Sequence, residues 1–250
     1  MSIFNVGQDY RNTLIFNHMA AFMFETLTEI LGCVRFIQVG ANDGQTADPV
    51  HAFVKSERWI GVLVEPIPAV FARLRDSMSS TQGLDFANCA IGPEDGSATF
   101  YACRDPHSPL SSFNKETILK HTEWALSVGL PAPETYIDEI KAPVLTLESL
   151  CARYRLDHID VLVTDTEGFD CKVVCSLDLK QRRPTLIYFE HIHCTSQETL
   201  DMRNLLHSFG YELFFDGYNA MAVYCGNIFR RTMISMFREI LVDASNLRAK

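Results

Sequence analysis

The chain of 250 residues has no long uninterrupted apolar run, no linker rich in glycine or serine, and no internal repeat. Its most apolar stretch, 14–31, is broken by His18, Glu25 and Glu29. Those side chains are costly in hydrocarbon but ordinary on an amphipathic surface helix, so a membrane span is not expected. Basic charge is also scarce: 22 Lys and Arg face 31 Asp and Glu, for a net charge of -9. A nucleic-acid partner is therefore not expected, because duplex binders need a clustered basic face. No basic leader precedes the first helix. The eight cysteines (33, 89, 103, 151, 171, 175, 194 and 225) are scattered, most of them inside apolar runs. In a chain this large they read as small buried hydrophobes of a reducing, cytoplasmic protein. Cys171 and Cys175 share a helical spacing, but no second pair accompanies them to complete a zinc site.

What is present is a globular composition, 47% apolar and 21% charged. That is enough for a core without disulfide staples. Short apolar runs alternate with helical patterns. Strands are expected at 35–39, 59–64, 84–91, 159–164, 185–189, 211–215 and 220–225, with an extended piece at 98–102. Helices are expected at 14–31, 46–56, 69–77, 147–155, 170–177, 197–209 and 228–242. Strands alternating with helices mean βαβ units and a parallel sheet covered on both faces. The turn-rich Asp216-Gly217-Tyr218-Asn219 implies a hairpin, hence one antiparallel strand near the end. The chain reads as a single domain over 1–250. It would have a helical cap at 1–34, an insertion at 103–143 and a helix within 226–250. The insertion is broken by five prolines around a helical pattern at 115–128. Such an excursion forms either a lid over a site or an irregular surface connection.

In an open parallel sheet, ligands bind beyond the carboxyl ends of the strands. After the first strand comes Gln38-Val39-Gly40-Ala41-Asn42-Asp43-Gly44-Gln45-Thr46. Gly40 and Gly44 permit a tight turn and close backbone approach. A dinucleotide fingerprint would need glycine where Asn42 and Gln45 stand, and a P-loop would need lysine at Gln45. The loop carries no basic residue, so it suits a ligand held by backbone amides better than a polyphosphate. It also reads simply as a glycine-containing turn. Glu65-Pro66 ends the second strand, where an acidic side chain can hold two ribose hydroxyls. Asn88-Cys89-Ala90-Ile91 follows the third. After the fourth comes Asp165-Thr166-Glu167-Gly168-Phe169-Asp170, three carboxylates that are expensive to bury without a role. After the fifth comes Glu190-His191-Ile192-His193. Of the two histidines, His191 is the better candidate for proton removal and His193 the better candidate for a satisfied surface residue.

Taken together, FIQVGANDG (36–44), VEPIP (64–68), NCAIG (88–92), DVLVTDTEGFD (160–170) and LIYFEH (186–191) resemble the FkbM family of S-adenosylmethionine-dependent methyltransferases. The resemblance spans roughly 35–225. It implies a Rossmann-like class I methyltransferase fold: an α/β architecture whose seven-stranded, mostly parallel sheet has an antiparallel last strand and helices on both faces. It also implies S-adenosyl-L-methionine as cofactor. Gly40, Ala41, Asn42 and Gly44 would wrap its methionine part. Glu65, followed by Pro66, would hold the ribose, and Asn88, Cys89 and Ala90 would border the adenine. Asp165 and Glu167 would sit near the methionine amino group or the methyl. Gln38 belongs to the same set, although many class I enzymes carry an acid there.

The residues agree with that ligand on charge: a sulfonium cation without phosphate suits a basic-poor loop ringed by Glu65, Asp165 and Glu167. The expected reaction is O-methylation of a sugar, glycan or polyketide-type small molecule, with His191 or Asp165 as base. A metal-assisted version would place a divalent cation such as magnesium on Asp165, Glu190 and His191. The competing readings are an NAD-linked Rossmann oxidoreductase, a non-catalytic cofactor-binding subunit and a nucleic-acid methyltransferase. The opening and closing helices are read either as surfaces of a homodimer or as plain cover.

Overall fold

The computed structural model describes residues 6–103, 111–127, 129, 132–224 and 226, with side chains for these except 6–15, 124 and 133. The helix expected at 228–242 and Cys225 lie outside the described residues. In chain order the elements are α1 (Val6–Leu31), β1 (Val34–Val39), α2 (His51–Lys55), β2 (Trp59–Val64), α3 (Pro68–Ser77), β3 (Leu84–Ala87), β4 (Ala90–Ile91), β5 (Gly96–Cys103) and β6 (Ser111–Ser112). Next come α4 (Lys115–Leu119), α5 (Thr122–Ser127), a single 3₁₀ turn (Pro133–Thr135), β7 (Ile137–Leu145), α6 (Leu147–Tyr154) and β8 (Val161–Thr164). The described chain closes with α7 (Asp170–Ser176), β9 (Leu186–Glu190), α8 (Ser196–Ser208), β10 (Tyr211–Phe215) and β11 (Asn219–Tyr224).

Seven strands form the main sheet in the order β10-β11-β9-β8-β1-β2-β3. All neighbours run parallel except β11, which is antiparallel to both β9 and β10. The alternation of each central strand decides what it buries. Val34 and Phe36 of β1, Trp59 and Leu63 of β2, Val161 and Val163 of β8, and Leu186 and Tyr188 of β9 join one core. That core also holds Phe16, Met19, Met23 and Phe24 of α1. The intervening residues, including Ile37, Val39, Val62, Val64, Leu162, Ile187 and Phe189, pack against α6, α7 and α8 in a second core. Two buried faces are why these strands read as continuous apolar runs.

Trp59 shows how the opening helix is held. Its ring is fully buried, edge-on to Phe24, and its indole N–H donates to the Thr28 hydroxyl at 2.8 Å. Truncating a ring in such a place costs about 3–5 kcal/mol. Among the described residues no helix is long and apolar enough to cross a membrane.

Several expectations are corrected. The strand expected at 84–91 is two strands, because Asn88 leaves the ladder. Its side-chain amide instead donates to the carbonyls of Glu65 (2.8 Å) and Pro66 (3.2 Å), and β4 passes to another sheet. The helix expected at 46–56 shrinks to α2. Asp43 and Asp48 accept the backbone N–H groups of Gln45, Thr46 and Val50, which fixes turns ahead of it. The insertion is more regular than its prolines suggest: β5 and β7 pair antiparallel over eight residues, and with β4 and β6 they form a second, four-stranded sheet. The helical pattern at 115–128 divides into α4 and α5. The cysteines are free among the described residues, and Cys33 and Cys175 are exposed rather than buried.

Candidate active site

A cavity of about 490 Å³ opens beyond the carboxyl ends of β1, β2, β8 and β9, a volume typical of small-molecule sites. Helix α1 covers one side with Asn17, Ala20 and Phe24, and the second sheet and the residue after β6 supply Phe100, Ser111 and Phe113. The described lining carries five carboxylates, Asp48, Glu65, Asp165, Glu167 and Glu190, and no lysine, arginine or histidine.

The loop after β1 is shaped by close approach. Gly40 has φ +79°, and a Cβ there would lie 1.7 Å from the Asp165 carbonyl oxygen, so only glycine fits. Asn42 also adopts positive φ, at 48°. Several of the loop amides are engaged within the fold. Gly40 and Ala41 both donate to the Val64 carbonyl at 3.0 Å, Asn42 donates to Glu65, and Gly44 donates to Ala41.

Glu65 is only 5% exposed. One carboxylate oxygen accepts from the Asn42 N–H at 3.1 Å and the other from the Ile67 N–H at 2.9 Å. Burial pushes its carboxyl up to about 7 against the pull of those two donors. Asp165 stands exposed at the cavity wall among other carboxylates, and the surrounding protein, then Asp170 and Asp48, raise it. Its surface opens into the cavity, so water screens part of that push. Glu167 is pushed up to about 8 by burial and by Asp165. Glu190 is raised by burial and the same neighbours. Its Oε2 is buried without a hydrogen-bond partner, as are Gln38 Oε1 and Asp48 Oδ2. The Gln38 amide N–H donates to Asp48 at 3.2 Å.

The structure brings Gln38, Gly40, Ala41, Asn42, Glu65, Pro66, Cys89, Ala90, Asp165, Glu167 and Glu190 to the cavity wall. Gly44 and Asn88 are not on it: Gly44 packs under Leu74 and Met78, and Asn88 braces the Glu65-Pro66 carbonyls. Nor is His191. Its Nε2 lies 3.0 Å from the Asp216 carbonyl and its ring stands edge-on to Phe215, on the hairpin side. The trio Asp165, Glu190 and His191 is therefore not assembled around a cation. His193, read from the sequence as a surface residue, is the inward one. Its side chain is 11% exposed and its Nε2 is 3.4 Å from Glu167 and 3.2 Å from His121 Nε2. Burial depresses it to about 4, with His121 and Lys120 adding to the effect. Asp48 was also not among the sequence candidates. The turn-forming pattern Asp48-Pro49 ahead of a helix was its one signal.

Residues 38–213, more than half the chain, match the family described as the methyltransferase FkbM domain. The chain belongs to that family. Its sheet order is accordingly that of a Rossmann-like class I methyltransferase. Among solved structures, this FkbM domain is similar to the methyltransferase FkbM from Methylobacillus flagellatus KT, with 12% identity and a TM-score of 0.48, over 77% of this chain and 44% of that one. It is also similar to the Aeropyrum pernix fibrillarin in complex with natively bound S-adenosyl-L-methionine (11% identity, TM-score 0.41, 76% of this chain and 66% of that one). A third is the precorrin-6y C5,15-methyltransferase from Geobacter metallireducens (8% identity, TM-score 0.39, 77% and 80%). No curated protein matches the chain. The FkbM domain thus spans less than half of the Methylobacillus chain.

Proposed function

We propose that this chain transfers the methyl group of S-adenosylmethionine to a hydroxyl oxygen of a sugar, glycan or polyketide-type small molecule. The observation that carries the proposal is the charge of the cavity: five carboxylates and no cationic side chain among its described lining. Such a wall attracts a cationic ligand and opposes one that carries phosphates. That favours S-adenosylmethionine over NAD, and a neutral acceptor over nucleic acid.

The donor set fits the cofactor. Glu65 keeps lone pairs beyond its two backbone donors and would accept the ribose hydroxyls. Cys89 and Ala90 would border the base. Gln38 Oε1 and the Asp165 and Glu167 carboxylates would accept from the ammonium of the methionine part. The cavity wall at Gly40, Ala41 and Asn42 would border its chain. When bound, the cofactor supplies an electrophilic methyl on a sulfonium.

The chain's own work is to align an acceptor oxygen in line with that methyl and to take its proton. We assign the proton to Asp165, whose raised carboxyl is poised for exchange nearer neutrality than an ordinary aspartate and whose surface opens into the cavity. The acceptor would enter past Phe100, Ser111 and Phe113, which extend the cavity toward the lid.

Thermal shift with S-adenosylhomocysteine and NADH, followed by methyl-labelled turnover over sugar and polyketide acceptors, tests the reading. Stabilisation by the nucleoside but not by NADH, with label transferred to a hydroxyl, is expected. Stabilisation by NADH alone overturns it. Binding without transfer to any acceptor favours a non-catalytic subunit.

A further inference from the structure

His121, Glu167 and His193 come from three separate segments: the turn between α4 and α5, the loop after β8, and the loop after β9. Their ligand atoms converge. His121 Nε2 and His193 Nε2 are 3.2 Å apart, Glu167 Oε2 is 3.4 Å from His193 Nε2, and it is 3.8 Å from His121 Nε2. Four-coordinate zinc with bonds near 2.0–2.1 Å spaces its ligand atoms roughly 3.3–3.4 Å apart. Among the described residues this is the one group of three histidine, cysteine or acidic side chains so placed.

The frame around the trio is tightly held. The Ser112 hydroxyl donates to the Glu167 carbonyl at 2.7 Å. Glu167 and Gly168 both adopt positive φ, and a Cβ on Gly168 would lie 3.2 Å from His193 Cβ and 3.3 Å from Thr117 Oγ1. Glu190 Oε2, buried and without a hydrogen bond, lies 3.8 Å from His193 Nε2 and offers a second carboxylate beside the trio.

We infer that His121, Glu167 and His193 bind one transition-metal dication, zinc the first candidate, which fastens the α4–α5 lid onto the ends of β8 and β9. Two imidazoles and a carboxylate are a donor set for zinc or iron(II) rather than for magnesium, which prefers oxygen. A dication would engage all three converging atoms at once. The site borders the cavity of the methyl-transfer reading and shares Glu167 with it, and it is tested without turnover.

The full chain is stripped with a chelator and titrated with zinc, with magnesium as control, following bound metal by mass spectrometry and calorimetry. One equivalent of zinc, little magnesium and a raised melting temperature are expected. His121→Ala and His193→Ala should each weaken zinc at least about 100-fold, since even the loss of an outer-shell partner costs about 10–100-fold. His18→Ala, on the exposed face of α1, should leave binding unchanged. Because eight cysteines could also take up zinc, cobalt(II) is used as a spectroscopic probe of the unmutated protein. Visible bands of a nitrogen- and oxygen-ligated ion support the site. A strong thiolate-to-cobalt band, binding below one equivalent, or zinc retained when both histidines are gone overturns it. The cobalt spectrum decides the matter even where a histidine variant fails to fold.

Discussion

The two ends of the cavity follow opposite rules. At the Glu65 end the polar groups hold one another: each carboxylate oxygen accepts a backbone N–H, the Gly40 and Ala41 amides close on Val64, and Asn88 clamps the carbonyls beneath. At the other end Asp165, Glu167 and Glu190 crowd together, all pushed upward, and Glu190 keeps a buried oxygen without a hydrogen bond. The first end is a preformed shape. The second stores unmet demand for protons and cations, which is where chemistry is placed.

The sharpest way to break this contrast is at Asp165. As the group that takes the acceptor's proton, it makes Asp165→Asn isosteric but inert. Turnover is expected to fall about 10²–10⁴-fold, while cofactor affinity by calorimetry changes far less. An equal loss in both would move Asp165 from proton transfer to cofactor binding. The shaped end breaks differently. Gly40→Ala forces a Cβ into the Asp165 carbonyl at positive φ. About 3 kcal/mol or more should disappear from stability in urea unfolding. Glu65→Gln is milder. A glutamine cannot accept from both the Asn42 and Ile67 N–H groups through two equivalent oxygens, and it loses its charge. Affinity for S-adenosylmethionine should fall roughly 10–100-fold, about 1.4–2.8 kcal/mol, with the catalytic rate at saturation little changed.

The same contrast separates what was legible in the sequence from what was not. The strand expected at 59–64 coincides with β2 because an apolar run buried on both faces is a local signal, and the one at 211–215 coincides with β10 because a short apolar run before a turn-rich hairpin connection is another. At the Glu65 end the strand-end rule singled out Gly40, Asn42 and Glu65, and the structure places all three on the cavity wall. The second sheet was not legible. β7 (IDEIKAPVL) alternates toward solvent and contains Pro143, and its pairing with β5 spans about 40 residues of sequence, which no local pattern encodes. The histidines failed for a smaller reason. His191 and His193 differ by two positions, and the turn after β9, not the residue type, decides which one faces inward.

A pH experiment sharpens the comparison from the side of stability. Glu65 and Glu167, with carboxyls pushed up to about 7 and about 8, favour the protonated folded state. Their stabilising effect is full below the ordinary glutamate range and is lost as pH rises through 7 to 8. Once the carboxylates ionise, a bound cation relieves their repulsion. The rise in melting temperature caused by S-adenosylmethionine should therefore be larger at pH 8.5 than at pH 5.5. A difference of about 2–4 °C corresponds to roughly 1 kcal/mol in a chain of this size. Neutral S-adenosylhomocysteine at the sulfur should show less of it. Equal shifts at both pH values would mean that the carboxylates are not in contact with the ligand's charge.

The smallest effect is expected at His191, and it is informative for being small. Sequence position alone makes this histidine a candidate base, directly after an apolar strand and beside Glu190. Yet its ring is taken up by the Asp216 carbonyl and the edge of Phe215, and it does not reach the cavity wall. Replacing it with glutamine preserves a polar contact to the hairpin and removes the imidazole. Turnover should change less than about 3-fold, within the half kcal/mol or so typical of substitutions away from a special site. A loss near that of Asp165→Asn would require the β9 loop to rotate His191 inward on binding the acceptor. That motion would also carry off His193, so zinc stoichiometry measured with acceptor present would fall with it.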